Sequence, residues 1–258
     1  MDAARPEPRG PQLIAPIADQ WQLLDVQTVD TRLDQIAHRL RTLPQIAELA
    51  ALGGRATELR DQLVGAQTLA GDLQRELTKA EADVELVRQR AARDQARLDA
   101  GQGGHKELGS LQHEIATLHR RQSDLEDAEL EVMERLEAAT AEVERLSIEQ
   151  ASLQAQVDEV TAARQTQEEE LEAERERLVQ ERSGLVAGLN RPLLDLYEKV
   201  REVNGGIGAA MLRARRCEGC RLELNPQDIQ RIRTADADEV VRCEECRRIL
   251  VRTGESGL

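Results

Sequence analysis

The sequence predicts a mostly α fold, in which a long antiparallel coiled-coil helical hairpin is followed by a small β-rich C-terminal domain. Three observations predict it. Apolar residues repeat at heptad spacing along two arms, a glycine-rich segment separates the arms, and the repeat stops near residue 190. The composition agrees: 33% of the 258 residues are charged, and the chain has one Trp, one Tyr and no Phe. Such a composition is typical of long helices.

Residues 1–18 are predicted to form a disordered tail. The stretch contains few apolar residues and four prolines, Pro6, Pro8, Pro11 and Pro16, so it lacks the side chains that a core requires. A helix is expected after Asp19, which is a suitable N-cap residue. The sequence contains neither the apolar core of a signal peptide nor an apolar run of about 20 residues. We therefore expect a cytoplasmic protein that does not bind membranes.

The first arm, residues 19–100, contains two heptad runs in different phases. The first run has alternating steps of four and three, at Val29, Leu33, Ile36, Leu40 and Leu43. Pro44 follows and should break or kink the helix, because proline lacks a backbone N–H and clashes with the preceding turn. The second run extends over seven heptads from Leu49 to Leu98, a length that strongly favours a coiled coil.

Three glycines, at positions 101, 103 and 104, predict the turn of the hairpin near residues 101–105. The second arm, residues 106–187, matches the first in length, and its heptad columns weaken after Val160. Two such arms should pair antiparallel and make residues 19–189 one hairpin domain, which could be a monomer or a dimer. A parallel homodimer of one continuous helix is the alternative, and the glycines argue against it. Lys106 and Glu107 at the tip are candidates for partner contact.

Residues 190–258 are predicted to form a separate domain around four cysteines. Cys217, Cys220, Cys243 and Cys246 make two C-x2-C pairs with 22 residues between them. Each pair forms a tight turn that directs two thiolates to one point, and two such turns complete a tetrahedral four-sulfur site suited to one structural Zn²⁺. Metal binding should supply much of the folding free energy of these short segments. Iron in the same ligand set is an alternative, whereas a redox pair would need a βαβ context.

No enzymatic activity is predicted. A shell of four thiolates leaves no open coordination position for water or substrate. The sequence has no glycine-rich phosphate loop, nucleophile elbow or H-E-x-x-H motif, so no small-molecule substrate is expected. In each cysteine pair an arginine, Arg221 or Arg247, follows the second cysteine. A left-handed backbone is expected there and costs a non-glycine residue about 1 kcal/mol.

Arginines cluster around the cysteines and are candidates for contact with RNA, DNA or a protein partner. They are Arg213, Arg215, Arg216, Arg221, Arg242, Arg247, Arg248 and Arg252. The net charge of −14 opposes nucleic-acid binding, but residues 191–258 carry 13 basic and 12 acidic side chains. The scarcity of aromatic residues removes base stacking, so any nucleic-acid contact should be with the phosphate backbone.

The layout resembles a bacterial family of coiled-coil hairpins that end in a four-cysteine zinc ribbon. The residues that carry the resemblance are Leu23-Leu24-x-x-Gln27-x-x-Asp30, Leu43-Pro44, Lys106-Glu107-Leu108-x-x-Leu111-Gln112-x-Glu114-Ile115, Gly205-Gly206-Ile207-Gly208-Ala209-Ala210, the cysteine pairs and Arg248-Ile249-Leu250. One branch of that family is a flagellar chaperone whose zinc domain binds RNA and whose hairpin binds proteins. The resemblance implies a scaffold or adaptor whose hairpin binds protein partners and whose ribbon binds protein or nucleic acid.

A second resemblance gives an alternative function. The secondary-channel factors of RNA polymerase also pair a coiled-coil hairpin with a four-cysteine zinc module, which implies a transcription-associated factor that docks on polymerase or nucleic acid. Those factors carry acidic residues at the hairpin tip. Here the tip segment has one acid and one base, Glu107 and Lys106.

Overall fold

The computed structural model describes residues 13–101 and 103–258, so the first three prolines of the predicted tail lie outside the described residues. The elements are α1 (Ile17–Arg41), α2 (Pro44–Asp99), α3 (His105–Val186), α4 (Arg191–Val203), β1 (Ala209–Arg213), β2 (Arg216–Cys217), α5 (Pro226–Thr234), β3 (Val241–Arg242) and β4 (Ile249–Arg252). The chain divides into two compact units. Residues 45–163 form one, and residues up to 44 with residues 164–258 form the other.

The unit of residues 45–163 is an antiparallel pair of helices, α2 and the first part of α3. Leu59 packs in one buried cluster with Leu146, and Ala91 packs in another with Leu118. Partners on α3 therefore come earlier in the sequence as α2 proceeds, which confirms the predicted hairpin. Gly101 and Gly103 between the helices have φ angles of 63° and 134°, a region that glycine occupies without steric cost.

Pro44 is the first residue of α2, and α1 ends three residues earlier at Arg41. The backbone N–H of Thr42 donates to the carbonyls of His38 and Arg39 and closes the last turn of α1. At a helix start the missing N–H of proline costs nothing, because that position has no intrahelical acceptor. The predicted break at Pro44 is confirmed.

In the other unit, α1 contacts two partners along its length. Val29 and Ile36 pack against Leu171 and Leu178 of α3. Nearer its start, Leu23 and Val26 join a buried cluster with α4, β1 and β4. The predicted domain boundary at 189/190 therefore does not coincide with the boundaries of the compact units. The cause is long-range packing, which a local repeat pattern does not encode.

The predicted tail is too long. Residues 13–15 lie antiparallel to residues 238–240, since Ala15 N–H donates to Asp238 O at 2.8 Å and Val240 N–H donates to Leu13 O at 2.9 Å. The helix then begins at Ile17, and its N-cap is Pro16 rather than Asp19. These backbone hydrogen bonds order a segment whose composition alone favoured disorder.

A four-stranded sheet in the order β2-β1-β4-β3 organises the C-terminal part of this unit. The central strands β1 and β4 are parallel, with Ala209 opposite Ile249, and the outer pairs are antiparallel. Ala209 and Ile249 face α1 and α4, whereas Leu212 and Leu250 face α5 and the cysteines. Helices cover both faces, as parallel strand pairs require. No helix in the described part of the chain is long and apolar enough to cross a membrane.

Candidate metal centre and the surrounding arginines

The two cysteine pairs form turns with the same backbone hydrogen bond. The N–H of Arg221 donates to the carbonyl of Cys217 at 2.7 Å, and the N–H of Arg247 donates to that of Cys243 at 2.8 Å. Both arginines have left-handed backbone, with φ angles of 61° and 63°. The conformation expected after each second cysteine is therefore present, although the residue is not glycine. The strain is tolerated because the turn is held from both sides.

The four sulfurs converge on one point. All four Sγ atoms lie within 4.8 Å of one another, with Cys217 and Cys246 at 3.8 Å and Cys220 and Cys243 at 3.9 Å. Four thiolates at 2.3 Å from a central zinc have tetrahedral edges of about 3.8 Å, so the spacing fits Zn²⁺. No other group of three or more His, Cys, Asp or Glu side chains among residues 13–101 and 103–258 could hold a metal ion.

The thiols are held in an environment that disfavours four unneutralised negative charges. Burial raises the pKa of the Cys217 thiol above its usual range and that of Cys243 to about 11. Burial also acts to raise the pKa of Cys246, but hydrogen bonds from the backbone and side chain of Arg248 and from neighbouring thiols outweigh it and lower the value to about 7. A divalent cation would supply the positive charge that lets all four sulfurs ionise together.

Arg248 joins the second cysteine turn to the end of α4. Its guanidinium donates to the carbonyls of Ile207 at 3.1 Å and Asn204 at 3.0 Å. On the way it crosses Gly219 in the first turn, where a Cβ atom would lie 2.6 Å from Arg248 Cδ and 3.0 Å from Ala210 Cβ. Only glycine leaves room for this crossing. The side chain of Arg248 is therefore structural, and we remove it from the predicted binding set.

Arg252 is also structural. Its guanidinium donates to five backbone carbonyls in and after α5, those of Ile232, Ala235, Asp236, Ala237 and Glu239. Cations at a helix C-terminus satisfy carbonyl groups that lack intrahelical donors. The prediction that Arg252 belongs to an exposed binding set therefore overlooked the use of its donors within the fold.

The remaining arginines differ in how far they are engaged. Four have partners nearby: Arg213 pairs with Glu255, Arg215 donates to the Gly257 carbonyl, Arg242 donates to the Arg247 carbonyl, and Arg247 pairs with Glu244. Arg216 and Arg221 are exposed and, among the described residues, have no side-chain hydrogen bond or ion pair. The eight arginines are thus not one face of free cations, and only these two, beside the first cysteine turn, have every donor available.

At the hairpin tip, Glu107 has a local role. Its carboxylate accepts a hydrogen bond from the backbone N–H of Gly104 at 2.8 Å, which caps the start of α3. Lys106 beside it is exposed. The acid is therefore engaged in holding the helix end, and the lysine is the freer of the two predicted tip residues.

Gln27 and Asp30 form a buried polar site that the sequence reasoning quoted only as part of a resemblance. Gln27 accepts from the N–H of Gly208 at 2.7 Å and donates to the carbonyl of Gly206 at 2.9 Å. Asp30 accepts from Arg182 at 2.6 Å. A polar pair at i, i+3 on an otherwise apolar helix face was the signal that could have identified it, because buried polar groups need partners.

Comparisons with known proteins agree with this arrangement. The model of the CT398-like coiled coil hairpin domain matches residues 26–205, and that of the C4-type zinc ribbon domain matches residues 216–250. The ribbon match spans all four cysteines, which together hold one structural zinc ion. An uncharacterized protein of Mycobacterium tuberculosis (strain H37Rv) is 37% identical over 241 residues, covering 92% of this chain and 97% of its own length. One from Mycobacterium leprae is 31% identical over 221 residues, covering 84% and 93%.

Solved structures show the same fold. A structure from Mycobacterium smegmatis has a TM-score of 0.81 and 38% identity, covering 93% of this chain and all of that one. The structure of CT398 from Chlamydia trachomatis has a TM-score of 0.65 and 18% identity, covering 92% of this chain and 98% of that one. At that identity the second likeness concerns the fold alone.

Proposed function

Because the chain belongs to the family of CT398-like coiled-coil hairpin proteins and carries a C4-type zinc ribbon, we propose that it is a non-enzymatic zinc-binding scaffold or adaptor. One observation carries this proposal. The metal centre is closed, since four sulfurs converge and no His, Asp or Glu among the described residues joins them. Zinc with four protein ligands has no position for water or substrate. Its role is then to hold the shape of a binding surface.

The hairpin is proposed to bind protein. Several large apolar side chains of the unit formed by residues 45–163 are exposed, namely Val64, Leu69, Leu86, Leu130, Met133 and Ile148. Exposed apolar groups on a helix pair that already has a buried seam are suited to a further helix or sheet. The matched family descriptions, a coiled-coil hairpin and a zinc ribbon, name binding modules and not enzymes.

Site-specific cross-linking in living cells tests this proposal. A photo-reactive residue at Leu69 or Ile148 should give discrete cross-linked products with the partner. The same residue at Glu137, which is also exposed on α3, is the matched control and should give fewer products. Equal yields at all three positions, or no product at any of them, would contradict hairpin binding.

The ribbon is proposed to bind nucleic acid through Arg216 and Arg221, with Arg215 beside them. Guanidinium groups bind phosphates through paired hydrogen bonds, and the donors of the first two are free. Glu218 and Glu223 lie within the same turn, so the proposed contact is small and directed at the phosphate backbone. We also place the protein in the cytoplasm, where thiols such as its four free cysteines stay reduced.

Fluorescence anisotropy with labelled single-stranded RNA, and with DNA of the same sequence, tests the ribbon. Binding is expected at about 50 mM salt and should weaken steeply by about 200 mM. Arg216→Gln/Arg221→Gln should make the plot of log affinity against log salt shallower by about one unit. Arg175→Gln/Arg177→Gln on α3 removes the same charge elsewhere and should change it little. Binding that ignores salt would contradict the proposal.

The alternative, a transcription-associated factor, is supported by the same two arginines. Glu107 caps α3 through Gly104, so action of a tip carboxylate near a polymerase metal is disfavoured, and docking through the ribbon is the form that we retain. Capture of RNA polymerase by the intact protein, lost in Arg216→Gln/Arg221→Gln, would favour this alternative over a general adaptor.

A further inference from the structure

The single tryptophan of the chain lies on the surface in a fixed orientation. Trp21 is 52% exposed, yet its indole N–H donates to the carbonyl of Arg252 at 2.7 Å. Ile17, one helical turn earlier, is 39% exposed, and Ile14 is 60% exposed. We call these three residues the Trp21 surface. Fixing a tryptophan ring by its N–H while half of it faces solvent is typical of an interaction site, because little rotamer entropy remains to be lost on binding.

A cavity of about 220 Å³ opens beside the indole. It is lined by Ile17, Gln20, Trp21, Ala237, Arg252 and Thr253. Gln20 is held by hydrogen bonds to the carbonyls of Ala15 at 2.9 Å and Asp238 at 3.1 Å. The walls are therefore preformed, and the space is suited to one side chain rather than to a whole helix.

The charge around the cavity is mainly negative. Asp236, Asp238 and Glu239 flank Ala237 in the loop between α5 and β3, and none of them has an ion-pair partner among the described residues. Asp25 is exposed one turn after Trp21. Arg252 contributes the one positive charge of the lining, and its guanidinium points to backbone carbonyls of the same loop. Four carboxylates thus face one engaged cation.

We propose that the Trp21 surface docks a basic segment of a partner protein, one in which Lys or Arg residues flank a bulky apolar side chain. The apolar side chain fills the cavity and the cations meet the carboxylates. A Lys or Arg stem can also lie on the indole face, where a cation–π contact adds attraction. Tryptophan is enriched among residues that dominate binding energy. The site differs from the hairpin faces and the free arginines, so it goes beyond the proposed function.

Intrinsic fluorescence tests the proposal directly, because Trp21 is the only tryptophan. The probe is a short synthetic peptide in which Lys alternates with Leu. It should quench or blue-shift the emission to saturation and lose affinity as salt rises. A peptide in which Glu alternates with Leu should leave the emission unchanged. Equal responses to both peptides, or none to the basic peptide, would overturn the proposal.

Two variants locate the binding. Asp236→Asn/Asp238→Asn should weaken the basic peptide about fivefold, the sum of two exposed ion pairs. Glu169→Gln/Glu170→Gln on α3 removes the same charge elsewhere and should change affinity less than about twofold. Equal weakening by both would assign the binding to overall acidity and refute the site.

Trp21→Ala, followed by calorimetry in place of fluorescence, should weaken the peptide at least about tenfold. Circular dichroism checks that the variant is folded, and Trp21→Phe should recover most of the affinity if the ring packs on the peptide. Sedimentation without peptide examines the other occupant. Concentration-dependent dimers that vanish in Trp21→Ala would assign the surface to a second copy of the chain and overturn the proposal.

Discussion

Tyr197 on α4 donates its phenolic hydrogen bond to Asp30 on α1 across 2.7 Å, although the two residues are 167 positions apart in the sequence. Both are buried, with exposures of 0% and 2%. Arg182 of α3 donates to the same carboxylate at 2.6 Å, and the Arg201 guanidinium lies 3.5 Å from it. Three helices therefore meet at one buried acid whose oxygens have donors on several sides.

Asp30→Asn should destabilise the protein by about 3 kcal/mol, because removing one partner of a buried pair leaves Arg182 with a charge that is not compensated. The measurement is the free energy of unfolding in urea. Asp34→Asn is the matched control, since Asp34 is exposed and pairs with Arg201 at 2.7 Å. It should cost less than about 1 kcal/mol. Similar losses in the two variants would show that burial does not set the value of the Asp30 contacts.

The ionisation of Tyr197 should be shifted to high pH. Burial raises the pKa of its phenol and the hydrogen bond to Asp30 raises it further. Since a raised pKa favours the neutral phenol, the folded protein should show no tyrosinate absorbance near pH 10, where a free tyrosine is half ionised. Tyr197 is the only tyrosine, so the spectrum reports it alone. Stability from this contact should be complete below about pH 10 and be lost above it.

The denatured protein in urea provides the reference for that titration and should ionise near the free value of about 10. Tyr197→Phe should remove the fall in unfolding free energy above that pH. A folded-state titration that overlaps the denatured one would contradict the buried hydrogen bond.

Removing zinc should unfold the ribbon and leave the hairpin helical. The cluster that contains Leu212, Ile232 and Leu250 is closed by the buried Cys217 and Cys243, so loss of the metal also opens the core. The intact protein should contain one zinc per chain by mass spectrometry, and its thiols should resist a thiol reagent until a strong chelator is added. Most of the far-ultraviolet helical signal should persist.

Cys220→Ser provides the control for that experiment and should abolish stoichiometric zinc with little change in helical signal. Loss of the entire helical signal on chelation would show instead that the hairpin depends on the metal.

Gly219→Ala should destabilise the protein by about 1–3 kcal/mol, because the new methyl group would lie 2.6 Å from Arg248 Cδ. Gly65→Ala is the matched control: a Cβ there meets nothing within 4 Å, and Gly65 lies inside α2. This control should stabilise by about 0.5–1 kcal/mol through helix propensity. Thermal melts of the two variants should shift in opposite directions, and equal signs would contradict the close crossing of Arg248.

The sequence by itself determined the elements that depend on near neighbours. The heptads predicted α2 and α3, Pro44 predicted the break, and Asn190 predicted the start of α4, where its side chain accepts from the Leu193 N–H. The cysteine spacing predicted the zinc site, because each C-x2-C turn directs its sulfurs locally. These patterns hold at separations of two to seven residues, where backbone geometry alone relates the side chains.

Only the tertiary structure decided what crosses long separations. The pairing of Leu13 with Val240, the meeting of Asp30 with Tyr197, and the engagement of Arg248 and Arg252 in backbone hydrogen bonds join distant parts of the chain. An arginine beside a zinc knuckle has the same local pattern whether its donors face solvent or buried carbonyls. Which carbonyls lie within reach depends on how β1, β4 and α5 pack, and that packing arises from burial of apolar surface over the whole unit.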